Sequence, residues 1–282
     1  MDVRPIYNAQ QSMKRTLSIL ATAMASGLLT PASAQLAPEF NPPPSRCCLA
    51  GTAQTLANQM LDWNQLGRYH ADDEKLKGQN EPGRVVFMGD SITDGWRLSQ
   101  YFPGKPYVNR GISGQTTAQM LVRMFEDVIN LKPAALVIFA GTNDIARNNG
   151  PQTIEMVEEN FMAMTELAQA HGIRVILCAL TPVSDYGPRK MTEDHPPTDI
   201  LRLNAWIREY AGKNHAVFAD YHSALADDKG MLKEGFSRDG LHPNEKGYEL
   251  MVPVVNAAIQ QALGRLVGGW GGLQNEPGAG GG

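Results

Sequence analysis

Cysteine is scarce here: 282 residues contain three, none in a Cys-x-x-C pair, which excludes a disulfide-built scaffold and a structural zinc of the usual spacing. No run of lysine or arginine occurs, and the net charge is −4. The chain therefore lacks the electrostatic footprint that nucleic acid or an anionic membrane surface requires of a principal partner. No apolar run reaches the roughly 18 residues needed to span a bilayer, so stable membrane insertion is not expected. Missing too are a Gly-x-x-x-x-Gly-Lys-Ser/Thr phosphate loop, a Gly-x-Ser-x-Gly nucleophile elbow and any internal repeat. What is present, 43% hydrophobic and 19% charged residues, is the composition of a soluble globular protein.

The ends separate from the middle. Lys14-Arg15, the stretch from Thr16 to Leu29 and the small residues Ala32-Ser33-Ala34 have the three-part layout of a secretory signal, so residues 1–34 are expected to be cleaved after Ala34, leaving a secreted or periplasmic protein. Residues 35–53 form a proline-rich leader carrying Cys47 and Cys48. Residues 264–282 are a glycine-rich tail with too little to bury to offset the entropy of ordering it. Residues 54–263, about 210, suit one domain with a substantial core.

Within that domain, apolar runs without alternation recur at 84–88, 107–109, 135–140, 173–180 and 216–219, the signature of buried parallel strands. Between them, apolar residues fall every three or four positions. The sets are Thr117, Leu121, Met124 and Val128; Ile154, Val157, Phe161, Met164 and Leu167; Ile200, Leu203, Ile207 and Tyr210; and Met251, Val255 and Ile259. An opening helix is expected through Leu56, Met60, Trp63 and Leu66, and Pro253 is expected to bend the last helix. Strands alternating with helices specify right-handed βαβ crossovers and hence a three-layer α/β/α domain with a parallel sheet, whose ligands bind beyond the carboxyl ends of the strands.

Four polar, glycine-containing clusters fall at such ends. Gly89-Asp90-Ser91 follows the first strand and presents Ser91 either as a nucleophile or as a routine helix cap. Asn109-Arg110-Gly111-Ile112-Ser113-Gly114-Gln115-Thr116-Thr117 lies between the second strand and a helix; its glycines allow a sharp turn with exposed N–H groups, and Thr116 or Thr117 can cap that helix. Gly141-Thr142-Asn143-Asp144 follows the most apolar strand and offers an uncharged amide donor, or else a turn Asn and a capping Asp. Asp239-Gly240-Leu241-His242 precedes the last helix; an Asp three residues before a His can meet Nδ1 and leave Nε2 as a base. Together the clusters hold a nucleophile, an oriented base and oxyanion donors, the parts of an acyl-transfer site.

Gly89-Asp90-Ser91, Gly114, Gly141-x-Asn143-Asp144 and Asp239-x-x-His242 match in order the four blocks of the SGNH (GDSL-type) hydrolases, and over about 180 residues the chain resembles that family. The resemblance implies a flavodoxin-like fold with five parallel strands and a serine esterase that needs no cofactor. It also implies Ser91 as nucleophile, His242 as base, Asp239 as its partner, and an oxyanion hole from the Ser91 and Gly114 N–H groups and the Asn143 amide. The expected partner is a small-molecule or carbohydrate ester, because the polar stretch 184–198 (Tyr186, Arg189, Lys190, His195) is long enough to border the crevice. Alternatives are a lysophospholipase or thioesterase, an O-acyltransferase, a non-catalytic carbohydrate-binding protein, and a metal phosphoesterase using Asp90, Asn143, Asp144, Asp239 and His242 as ligands.

Overall fold

The computed structural model describes residues 61–264; the expected signal, leader with Cys47 and Cys48, and the tail beyond 264 lie outside them. In chain order the elements are α1 (His70–Lys77), β1 (Val85–Gly89), α2 (Ser91–Asp94), α3 (Leu98–Tyr101), β2 (Tyr107–Gly111), α4 (Thr117–Val122), α5 (Met124–Asp127), β3 (Ala135–Phe139) and α6 (Thr142–Ile145). They continue with α7 (Ile154–Ala170), β4 (Arg174–Cys178), α8 (Met191–Asp194), α9 (Pro197–Lys213), β5 (Val217–Ala219), α10 (Tyr221–Leu225) and α11 (Glu245–Gly264). The five strands form one parallel sheet in the order β2-β1-β3-β4-β5.

Successive strand residues point to opposite faces, and here both faces are covered. Val86, Met88, Leu136, Ile138, Val175 and Leu177 pack with Met120, Phe161, Met164, Leu203 and Ile207 of α4, α7 and α9. Val85, Phe87, Val137, Phe139 and Ile176 pack on the other side with Ile92, Trp96, Tyr221, Val255 and Ile259, from α2, the residues after it, α10 and α11. That double burial is why the strands read as continuous apolar runs, and it establishes the three-layer α/β/α arrangement. No described helix is long and apolar enough to cross a membrane.

Two local expectations are corrected. Of the expected opening helix, Leu56 and Met60 lie outside the described residues, while Trp63 and Leu66 lie in exposed turns, not a helix. The Asp62 carboxylate accepts the Leu66 and Gly67 N–H groups at 2.9 Å each, giving the backbone a partner that competes with helical pairing. The helix expected over 117–128 is two, α4 and α5, interrupted at Arg123, whose side chain is fully buried. The last helix, α11, includes Pro253 within its length.

Candidate active site

Three neighbouring strands deliver the first half of the site. In the sheet register Gly89 of β1 lies between Gly111 of β2 and Phe139 of β3, so Ser91, Gly114 and Asn143 follow adjacent strand ends by two, three and four residues. A Cβ at Gly89 would stand 2.1 Å from Thr93 Oγ1 and 2.8 Å from the Phe139 carbonyl, so this turn admits only glycine. Asp90 caps α2 by accepting the Ile92 N–H at 2.9 Å, and Ser91 becomes the first helical residue, with an N–H that has no acceptor inside the helix. Burial, opposed by the Ile92 N–H, pushes the Asp90 carboxyl up to about 7.

The second strand's loop turns at Gly114, where φ is +81°. The Ser113 N–H and Oγ both donate to Asp94, at 3.1 and 2.7 Å, tying the loop to α2. Thr116, not Thr117, caps α4, in a capping box with Gln119. On α6 the buried Asn143 amide is held at both ends: Nδ2 donates to the Gln115 carbonyl at 3.0 Å and Oδ1 accepts from Asn148. That leaves the second Nδ2 hydrogen as a donor of fixed direction.

Asp144 is the capping Asp of the plainer reading, but it serves another element. It accepts the Thr117 N–H at 3.0 Å and the Thr117 hydroxyl at 2.6 Å, bracing α6 against α4. Its burial, partly offset by those bonds, raises the carboxyl to about 6.

Gln115 is a brace that sequence reasoning missed, although it lies inside the quoted second block. Its side chain donates to the Asn64 carbonyl at 2.8 Å and accepts from Arg123 Nε at 2.8 Å, while its own carbonyl holds Asn143. Arg123 also bonds Asp127 and, at 3.1 Å, the Arg110 carbonyl. Arg110 in turn meets buried Asp73 of α1 at 2.6 Å. Gln119 adds a bond to the Trp63 carbonyl at 2.5 Å, so residues 63–73 are tied into the loop that carries Gly114.

The second half comes from the loop before α11. Ser91 Oγ lies 2.9 Å from His242 Nε2, and His242 Nδ1 lies 2.6 Å from Asp239 Oδ2. Asp239 Oδ1 also accepts from the His242 and Leu241 N–H groups at 2.9 and 3.0 Å and from Ser237 Oγ at 3.0 Å. Partial burial opposes its ionisation, but the hydrogen bonds from His242 and Leu241 hold Asp239 well below the usual carboxylate range. An ionised carboxylate only accepts, so the Nδ1 of neutral His242 carries the proton and Nε2 is the acceptor for the Ser91 hydroxyl. The bond to Asp239, against the effect of burial, raises His242 above its ordinary value, and the charges of Asp239 and Asp90 raise it further.

This loop is clamped by residues 184–187. The Ser184 N–H donates to the Gly240 carbonyl at 2.8 Å, and a Cβ at Gly240, where φ is +85°, would lie 2.0 Å from the Ser184 carbonyl. A Cβ at Gly187 would lie 2.5 Å from the Asp239 carbonyl. The stretch 184–198 therefore buttresses Asp239. Its charged groups are occupied locally: Arg189 meets Asp194, Lys190 lies near Glu193, and His195 is buried against the Met191 carbonyl. On the other flank, Tyr248 OH donates to the Ile92 carbonyl at 2.8 Å, fastening α11 to α2.

Asp144 is engaged by Thr117 and Asp239 by His242, and the five candidate metal ligands do not gather into one cluster. Among the described residues, the group with metal-ligand spacing is instead His70, Glu74 and Glu126, where the Lys77 ammonium already bonds both glutamates. Cys178 is buried and its thiol is pushed up to about 12 by burial, which leaves it inert at neutral pH.

Residues 87–250 match the model of the GDSL-like lipase/acylhydrolase family. The chain is 31% identical over 177 residues to the esterase TesA of Pseudomonas aeruginosa, covering 56% of this chain and 79% of that protein. It is 27% identical over 215 residues to an acetylxylan esterase of Xylanibacter ruminicola, covering 63% of this chain and 43%, less than half, of that longer protein. A solved structure of a GDSL-like lipase from Bacteroides thetaiotaomicron is 38% identical, superposes with a TM-score of 0.66, and covers 71% of this chain and 100% of that one. The five-stranded parallel sheet and the family match point the same way: this chain belongs to the GDSL-like lipase/acylhydrolase family, a class of carboxylic ester hydrolases.

Proposed function

We propose that this chain hydrolyses short-chain acyl esters, acetyl esters of carbohydrates foremost, through an acyl-enzyme on Ser91. The observation that carries this reading is the continuous hydrogen-bonded line from Ser91 Oγ through His242 to Asp239, set beside the Asn143 amide and the Gly114 turn. His242 Nε2 removes the Ser91 proton as Oγ attacks the ester carbonyl. The oxyanion is held by the N–H groups of Ser91 and Gly114 and by the Asn143 amide. His242 then returns the proton to the departing alcohol, and water repeats the sequence to release the acid and free Ser91. Asp239 stays ionised throughout and stabilises the imidazolium that forms. The similarity to an acetylxylan esterase supports an acetylated carbohydrate as the substrate class.

Hydrolysis of p-nitrophenyl esters from acetyl to palmitoyl tests the proposal, with EDTA present and Ser91→Ala alongside. Chelator-resistant activity, greatest on the short esters and lowered by roughly 10⁴-fold or more in the variant, is expected. Undiminished activity of Ser91→Ala overturns the mechanism. A preference for long chains moves the assignment to a lysophospholipase or thioesterase, and transfer to an added sugar moves it to an acyltransferase.

A further inference from the structure

A cleft of about 690 Å³ borders His242; Asp239 and His242 form part of its wall and Ser91 does not. Its wall carries three cations, Arg97, Arg238 and Lys246, against two acids, Glu245 and Asp239. Glu245 is answered by Arg97 at 3.1 Å, and neither Arg238 nor Lys246 has an acidic partner among the described residues. Asp239, the other carboxylate in the wall, is engaged by His242. The cleft is therefore locally cationic on a chain whose net charge is −4.

Its position decides which part of a substrate it meets. The proton that His242 gives up goes to the oxygen of the leaving alcohol, so that oxygen must lie against Nε2 during the reaction, while the acyl oxygen turns toward Gly114 and Asn143. The alcohol half of the ester thus lies against His242, and the cleft that His242 walls is the space beside it. We propose that Arg238 and Lys246, with Arg97 in the same wall, form a subsite for a negatively charged group on the leaving alcohol, so that the preferred substrates are short acyl esters of alcohols bearing a carboxylate or phosphate. This rests on the serine esterase reading and adds the charge of the alcohol to it.

The test holds the acyl group constant and varies one charge: the acetyl ester of 4-hydroxybenzoate against that of its methyl ester, with wild type, Arg238→Gln and Lys246→Glu. The ratio of kcat/KM, charged over neutral, is expected to be about fivefold lower in Arg238→Gln, in the range of one exposed ion pair, and lower still in Lys246→Glu. In wild type the ratio is expected to fall as salt rises from about 20 to about 500 mM, because exposed charges are screened. Each variant's hydrolysis of the neutral ester reports that it is folded. An acetylated methyl glucuronoside against the matching glucoside, and acetylglycerol 3-phosphate against acetylglycerol, then assign the anion to a sugar carboxylate or a phosphate, whichever shows the larger variant-sensitive preference. Ratios equal in wild type and both variants overturn the subsite. If that happens while Ser91→Ala is inactive, the esterase reading stands without it; if Ser91→Ala is as active as wild type, the esterase reading itself fails.

Discussion

Ser91, Gly114 and Asn143 stand at the ends of three neighbouring strands, whereas Asp239 and His242 sit in a loop that belongs to no strand. The first group is held by buried braces: Asn143 is 7% exposed and pinned by Gln115 and Asn148, and Asp144 locks α6 onto α4. The second is open, with the His242 side chain 44% exposed, and its order comes from bonds within four residues and from the clamp of residues 184–187. The contrast matches the work that the proposed mechanism gives each half. Oxyanion donors act best when they need not reorganise as charge develops, so a rigid sheet edge suits them. A base that exchanges protons must meet substrate and solvent, and so needs orientation more than enclosure.

Breaking the loop half at its acid gives the largest expected effect. Asp239→Ala removes both the tautomer control and the carboxylate opposite the imidazolium, and a loss in kcat of about 10⁴-fold is expected. It also shifts the pH profile. A base must be unprotonated to work, so a His242 held above about 6.5 in the wild type places the acid limb of kcat/KM above that value. Without Asp239 the limb moves to lower pH, because its bond and charge no longer hold the imidazolium. A rate–pH series on both proteins checks this, and an unmoved limb counts against Asp239 as the partner of His242.

Breaking the strand-end half costs less per residue. Asn143→Ala is expected to lower kcat by roughly 100- to 1000-fold with KM little changed and the acid limb in place, since a donor is lost and the base is untouched. An unaltered kcat removes Asn143 from the site.

The smallest expected effect probes the clamp. Gly187→Ala puts a methyl group where the Asp239 carbonyl stands, and a displacement well under 1 Å is expected to lower kcat about tenfold, less than the roughly 100-fold of a full 1 Å misplacement. Weakening the Asp239–His242 contact should also lower the acid limb slightly, a shift that a fault in the oxyanion half would not produce.

Much of this was legible in the sequence because burial writes plainly into it. Each strand covered on both faces appears as an apolar run, and the glycines at 89 and 114 occupy positions where a side chain or a negative φ would not fit. What stayed hidden depends on polar groups whose partners are distant in the chain. Helix α1 reads His-Ala-Asp-Asp-Glu-Lys-Leu-Lys, with no apolar face, yet Asp73 in it is fully buried because Arg110 on β2 reaches it. Arg123 sits in an apolar period as though exposed, and is instead buried among Gln115, Asp127 and the Arg110 carbonyl. The cationic cleft is hidden likewise, since Arg97 lies nearly 150 residues from its pairing partner Glu245.

The ties from Trp63, Asn64 and Asp73 to the second block redraw where the working unit begins. Family matching starts at residue 87, but a chain shortened to that point loses the carbonyls that hold Gln115 and Gln119 and the carboxylate that answers Arg110. A buried guanidinium stripped of its partner is costly, by about 3–5 kcal/mol. Homology thus marks the residues that this family shares, while hydrogen bonding marks what keeps them in shape, and among the described residues it reaches at least to Trp63, about 25 residues ahead of the family match.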